Sequence, residues 1–355
     1  MQTKRLLSLA IACVLFSATI VGCGTSDTAP TGDSSTVDVA GTNEADGATQ
    51  AGQDGDKTFV VGFANIAEEV ELQIAIRESI EKAAADVGGI TLIVTSNDYD
   101  STKAVKNADD MVTKGVDAFI EFNVDESVAP VIMEKMNDAG IPVFAIDIPH
   151  PGAAFFGADN VQAGQLAGEF LANTAREKWG GEPDCLLLIE DSTSGELPLN
   201  RINEQIPGFR KVFPDFSDDK IFRVDGLSDA ATAQKMVADF LSAHPDYTKI
   251  SIGAMHDIAS MGALAAIETA GKESSCIMVN QGETYYLEYL QNNPASSDSE
   301  VIIGAVAYFY DRYGDFLLPD VKKVLEGGDM PENVYVQHQI VSRDNAKELF
   351  PSYFE

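Results

Sequence analysis

Basic side chains are scarce in this 355-residue sequence: 24 lysines and arginines stand against 56 aspartates and glutamates, a formal net charge of −32. Beyond Lys4-Arg5 there is no Lys/Arg-rich stretch. That excludes phosphate backbones and anionic lipid surfaces as electrostatic partners, so no nucleic acid is expected. Most of the acids read as solvated faces, with a minority left for a cleft. Catalytic signatures are missing too. There is no G-x-S-x-G, no phosphate-binding G-x-x-x-x-G-K-[ST], and no dinucleotide G-x-G-x-x-G after a leading strand. His150, His244, His256 and His338 lie too far apart for an H-x-x-x-H metal helix, which leaves only ligands that converge in space. Asp98-Tyr99-Asp100 lacks the Gly and distal Glu of a calcium loop and reads as a turn capping the next helix. No nucleophile with a neighbouring base is visible, so no catalytic residue, metal or cofactor is assigned and an enzyme is not expected.

What is present begins at the N-terminus. Lys4-Arg5, an apolar run from Leu6 to Val21 and the ending Ile20-Val21-Gly22-Cys23 resemble a bacterial lipoprotein signal peptide cleaved before Cys23. The run is short for a bilayer span; an uncleaved anchor is the alternative and gives the same side of the membrane. From Gly24 to about Lys57 the chain is nearly all Thr, Ser, Gly, Ala, Asp, Asn and Gln, too polar to bury a core. The expected organisation is a signal peptide over 1–22 and a disordered tether over 23–57. Lipid on Cys23 is then the only membrane contact of an extracytoplasmic protein.

The remaining 300 or so residues exceed what one core usually supports, so two lobes are expected. Short apolar runs alternate with amphipathic segments. Strand candidates are Thr58–Ala64, Thr91–Thr95, Ala118–Phe122, Val143–Asp147 and Phe155-Phe156, with helices over Leu72–Val87, Ser101–Lys114 (Ser101 as N-cap) and Glu126–Ala139. After a long helix, Val161–Trp179, a second series has strands Leu186–Glu190, Ile221–Val224, Ile250–Ala254, Ile277–Asn280 and Val301–Ala307. Helices near Arg201–Phe213, Ala230–Ala243 and Ala259–Ala270 separate its first four. This is an α/β pattern of two doubly wound parallel sheets. Cys185 and Cys276 each begin a strand. With those strands two apart, about 9 to 10 Å of sheet spacing separates them, beyond disulfide reach, so a bridge is disfavoured.

Ligands of open α/β sheets bind beyond the carboxyl ends of the strands. Those ends carry Asn65, Glu68, Glu69, Glu71, Gln73, Asp147 and His150 in the first series. The second carries Glu190-Asp191, Asp225, His256-Asp257, Gln281, Glu283 and Tyr308. A pocket of carboxylates, amides and an aromatic suits multiple hydroxyls or amines.

Several segments together resemble periplasmic binding proteins of the ribose-binding (type I) family. They are Lys114-Gly115-Val116-Asp117, Ala139-Gly140-Ile141-Pro142-Val143, Asp147, Ala158-Asp159-Asn160-Val161 with Gly164 and Gly168, Pro207-Gly208-Phe209, Ala243-His244-Pro245, Met261-Gly262-Ala263-Leu264 and Gly327. The resemblance implies two lobes joined by three hinge crossings near Ala158, Tyr308 and Gln337, with lobes of 58–158 plus 309–337 and 159–308 plus 338–355. It also implies a monomer that clamps a small-molecule solute by hinge closure and delivers it to ABC permease transmembrane subunits. A subunit presenting ligand to a receptor or histidine kinase is the alternative.

Carried over by position, Asp147 matches the family carboxylate that takes two sugar hydroxyls. The ring-sandwiching aromatics are replaced by Leu72 and Gln73, and an Arg by Ile148. A second Arg becomes Gln205, with Arg201 one turn earlier able to reach the cleft. His256, Gln281 and Tyr308 stand where an amide, an Asp and a Gln are usual. The expected ligand-binding set is Asp147, Gln73, Glu69, His150, Arg201, His256, Gln281 and Tyr308. Ribose itself is therefore not expected: the loss of guanidinium groups and flat stacking faces beside Glu68, Glu69 and Glu71 points to a polyol, a modified or amino sugar, or another small polar molecule, with or without positive charge.

Overall fold

A computed structural model describes residues 58–69, 71–123, 125–295 and 297–354; the expected signal peptide, tether and lipidated Cys23 lie outside the described residues. The first half runs β1 (Phe59–Asn65), α1 (Glu71–Val87), β2 (Ile90–Ser96), α2 (Ser101–Lys114), β3 (Ala118–Glu121), α3 (Ala129–Asp138), β4 (Val143–Ile146) and β5 (Ala154–Gly157). The second runs α4 (Asn160–Trp179), β6 (Cys185–Glu190), α5 (Glu196–Asn203), α6 (Gln205–Arg210), β7 (Ile221–Asp225), α7 (Ala230–Ala243), β8 (Ile250–Ala254), α8 (Asp257–Ala270), β9 (Cys276–Gln281), α9 (Thr284–Asn292) and β10 (Ile302–Ala307). The chain finishes with α10 (Tyr313–Leu325), β11 (Asn333–Tyr335), β12 (Gln339–Val341) and α11 (Ala346–Leu349).

Two six-stranded sheets result, ordered β11-β5-β4-β3-β1-β2 and β12-β10-β9-β8-β6-β7. The first is parallel throughout; in the second, β12 runs antiparallel to β10, a departure from the all-parallel expectation. The chain passes between the sheets three times, after β5, after β10 and between β11 and β12. Helices cover both faces, so strands such as Leu186-Leu187-Leu188-Ile189 are buried as continuous apolar runs. Among the described residues no helix is long and apolar enough to cross a membrane.

Local chemistry sets the element ends. In α1, Ile76, Ile80 and Ala83 occupy one buried face at helical spacing. The cap of α2 is Asp100, not Ser101: its carboxylate accepts from the Thr102 and Lys103 N–H groups, and Gly115 closes the helix at φ +67. The helix expected over Glu126–Ala139 opens as a 3₁₀ turn, and its α part begins only at Ala129, next to Pro130. The helix expected over Arg201–Phe213 breaks at Glu204, because Pro207 has no N–H and crowds the carbonyl of Asn203. Cys185 and Cys276 are buried and free, each beside Ile250 on opposite flanks of β8.

Candidate functional site

Asp147 leaves β4 at φ +58, with its N–H donating to the Phe156 carbonyl at 2.7 Å. Its carboxylate occupies the space beside Gly157, where an added Cβ would sit 2.5 Å from Oδ1. A larger residue there would displace the carboxylate. The Tyr313 hydroxyl, from the first turn of α10, approaches both carboxylate oxygens at 3.4 Å. Burial pushes Asp147 up to about 6, against the pull of the Arg201 guanidinium, Tyr313 and the Ala158 N–H.

Arg201 arrives from the other sheet. Here α4 crosses α5 and α6 at backbone distance: a Cβ on Gly168 would meet the Gln205 carbonyl at 2.1 Å, and one on Gly208 the Gln165 carbonyl at 2.3 Å. This crossing lets Arg201 Nε donate to Asn160 Oδ1 at 2.6 Å, while the guanidinium sits over Tyr308 with its carbon 4.6 Å from the ring centre. Tyr308 in turn stacks with Tyr310 at 5.9 Å and meets His338 edge-on at 4.7 Å. Burial works against the Arg201 charge, yet the phenols of Tyr308, Tyr310 and Tyr313 and the carboxylate of Asp147 hold its pKa above the ordinary value. One anion and one cation, from opposite lobes, thus face a floor of tyrosines at the second crossing.

Beyond Arg201, Asp191 directly follows β6 and is almost fully buried. Burial opposes its charge, but donors at Ser228 Oγ (2.5 Å), Thr193 Oγ1 (2.6 Å), Thr193 N (2.9 Å) and Ser194 Oγ (2.8 Å) hold the carboxyl well below the usual range. His256 caps α8: its Nδ1 accepts from the Ala259 N–H at 3.1 Å, which leaves the proton on Nε2, 3.9 Å from Asp191 Oδ2. Burial keeps this ring neutral, Asp191 opposing and Arg201 assisting.

Of the eight residues expected to bind ligand, the structure groups Asp147, Arg201 and Tyr308, with His256 within the field of Arg201. Gln281 stands directly behind, but both its amide hydrogens go to carbonyls, of Ala163 (3.2 Å) and Arg201 (3.4 Å), and its oxygen takes the Tyr308 hydroxyl at 3.0 Å. It braces Tyr308 rather than offering donors to a solute. Gln73 is likewise an internal brace: Oε1 accepts from the Glu69 N–H at 3.2 Å and Nε2 donates to the Tyr99 hydroxyl. The Glu69 side chain is exposed. His150 folds onto its own loop, Nδ1 bonded to the Ile148 carbonyl at 2.9 Å, and burial lowers its pKa. Gln205 is buried against Gly253 and donates to the Arg201 carbonyl at 3.1 Å. Sequence reasoning missed Tyr310, Tyr313 and His338. The aromatic run Tyr308-Phe309-Tyr310 with Tyr313 is a visible signal of a lined crossing; His338 carried none. Among the described residues no group of His, Cys, Asp or Glu could hold a metal ion.

A family model described as "Periplasmic binding protein domain" matches residues 61–299. The chain is similar to the ribose import binding protein of Bacillus subtilis, 26% identical over 223 residues that cover 61% of this chain and 68% of that protein. It is also similar to the Escherichia coli ribose import binding protein, 22% identical over 257 residues covering 72% and 80%. Among solved structures, an ABC transporter solute binding protein from Bacillus halodurans with bound myo-inositol superimposes with a TM-score of 0.61, at 19% identity, covering 85% of this chain and 100% of that one. A periplasmic ribose ABC transporter structure from Conexibacter woesei gives 0.67, at 16% identity, covering 83% and 95%.

Proposed function

The chain belongs to the periplasmic binding protein domain family, and from that premise we propose that it captures an uncharged, polyhydroxylated solute between its lobes and delivers it to an ABC permease. The observation that carries this reading is the convergence of Asp147 and Arg201, one from each lobe and each within the other's field, Asp147 beside Tyr313 and Arg201 over Tyr308. A carboxylate accepts two vicinal hydroxyls and a guanidinium donates to others, so closure is rewarded only when a solute bridges both. The relatives include ribose import binding proteins, and one similar structure holds myo-inositol, a neutral polyol.

The balance of charge narrows the class. Arg201 supplies the guanidinium whose loss at position 205 had pointed to a cationic ligand. Glu68 is engaged by Arg77 at 2.9 Å, a guanidinium it shares with Glu78 and Glu81, and takes the Asn65 amide at 2.8 Å. At the centre of the cleft Asp147 is matched by Arg201, while the Asp191 charge is already taken by Ser228, Thr193 and Ser194, and this favours a neutral solute over an amine. We assign the lobes as 58–158 with 309–337 and 159–308 with 338–355, and we place the protein outside the cytoplasm as a monomer held by lipid on Cys23.

The test is a melting-temperature screen of the delipidated, ligand-free protein with D-ribose, D-allose, D-galactose, myo-inositol and glucosamine. A neutral member at 100 times its Kd raises stability by about 2.7 kcal/mol. No shift with any neutral sugar or polyol, or a shift with the amine alone, overturns the reading.

A further inference from the structure

The second crossing is held by a carboxylate from the sheet it leaves. Glu283 follows β9 and is 5% exposed. Each of its oxygens takes one backbone N–H of the crossing: Tyr308 N–H to Oε2 at 2.9 Å and Phe309 N–H to Oε1 at 3.0 Å. The two amides are consecutive, so the carboxylate fixes the peptide planes on both sides of the Tyr308 Cα. Phe309 there adopts φ +52 and ψ +48, a left-handed conformation that costs a bulky side chain energy and persists only where surroundings impose it. On its far side the Phe309 ring is stacked on Phe350 at 5.4 Å and covered by the Arg312 guanidinium, 4.9 Å from the ring centre. The backbone so fixed is the one that presents the Tyr308 ring to Arg201.

We infer that Glu283 is a positioning residue for solute capture, a two-pronged clamp that sets the path of the second crossing at Tyr308–Phe309 and through it the resting angle between the lobes. This rests on the reading of the cleft as a solute site. Glu283 reaches the solute's neighbours only through the backbone it holds: Tyr308 carries the ring under Arg201, and the Tyr308 hydroxyl is turned away to Gln281. The carboxylate is matched to its task, because two adjacent N–H donors need two acceptor oxygens in one plane. An amide in its place keeps one acceptor and sets an N–H against the other donor. Alanine leaves two buried donors without an acceptor.

The experiment uses the full chain, ligand-free, at pH 8.5, where Glu283, pushed up to about 7 by burial, is ionised, with spin labels on Lys82→Cys in α1 and Lys235→Cys in α7, both exposed. Distances between the lobes and amide exchange over residues 302–313 are measured in the parent, Glu283→Gln and Glu283→Ala. We expect the interlobe distance to shift or broaden by about 2 Å or more in Glu283→Ala. Exchange at Tyr308 and Phe309 should rise about tenfold or more, with Glu283→Gln intermediate in both. Unchanged distances in both variants overturn the inference. So does a Glu283→Gln protein that merely melts earlier with parental distances, which is the signature of a residue that only holds the fold. If Glu283→Ala does not fold, Glu283→Gln decides alone. Titration of the same proteins with D-ribose, D-allose and myo-inositol separates the two claims: no binding to the parent counts against the solute reading, while the ligand-free distances still judge the clamp.

Discussion

The guanidinium of Arg201 sits over the ring of Tyr308, 4.6 Å from its centre, and is pinned through Nε by Asn160. The first and second crossings thus meet on one side chain, whose charge is felt by Asp147 of the opposite sheet. Lysine reproduces the charge but not the plane or the Nε bond. A solute hydrogen bond to the guanidinium fork that an ammonium cannot reproduce is worth about 1.5 to 3 kcal/mol, so Arg201→Lys is expected to weaken solute binding about 10- to 100-fold. Titration calorimetry with the tightest solute from the panel checks this; an unchanged Kd would remove Arg201 from the site.

Two glycines make contrasting predictions. At Gly157 an added methyl strikes the Asp147 carboxylate, whereas at Gly168 it strikes the backbone of α6. Overpacking costs about 1 to 3 kcal/mol at either position. Gly157→Ala should therefore lose affinity out of proportion to its melting temperature, because the carboxylate can swing aside. Gly168→Ala should lose several degrees of melting temperature, because two helix backbones cannot. Equal effects on both readouts would show that Asp147 is not a ligand contact.

How much of this was legible beforehand follows from what each element depends on. The ten main strands and the buried stripe Ile76, Ile80, Ala83 were readable because covered parallel strands and amphipathic helices impose their own periodicities. The edge strands Asn333–Tyr335 and Gln339–Val341 were not, since three residues show no period, and α10 was obscured by the internal Pro319. In the site, Asp147, Arg201 and Tyr308 could be placed by position. The internal roles of Gln73 and Gln281 could not: an amide after a strand looks the same whether it meets a ligand or a carbonyl, and only tertiary packing decides.

Cys185 and Cys276 flank Ile250 in one sheet, so no rotamer brings their sulfurs together. Burial also pushes both thiols far above the reactive range. Both are expected to resist a thiol reagent in the folded protein and to react fully after unfolding. A non-reducing digest that contains a peptide linking them would contradict the sheet order.

Acid should stabilise the ligand-free protein locally. Asp147, pushed up to about 6 by burial, binds a proton more readily folded than unfolded. Its contribution is fully present below the ordinary carboxylate value near 4 and is lost as pH rises through about 6. Asp257, near 6, and Glu283, near 7, act in the same sense. Asp191, held low, contributes in the opposite sense, present above the ordinary carboxylate value and lost only as pH falls through its own lower one. Asp147→Asn removes one of the first three. Its melting temperature relative to the parent should be highest near pH 7.5 and fall toward pH 5; a pH-independent difference would mean that Asp147 titrates normally.

His256 caps a helix, and substitution can separate that role from the proposed contact with solute. Its Nδ1 caps α8 through the Ala259 N–H, and that bond fixes the neutral ring with Nε2–H directed toward the cleft wall at Asp191. Asparagine preserves a cap acceptor and removes the distal donor; alanine removes both. A lost cap costs about 0.5 to 2 kcal/mol, so His256→Ala should melt several degrees lower while His256→Asn stays near the parent. If Nε2–H reaches the solute, both variants should lose affinity to a similar extent, roughly 5- to 10-fold for one neutral hydrogen bond. If only His256→Ala loses affinity, the histidine is a cap alone, and the solute contacts from the second lobe reduce to Arg201.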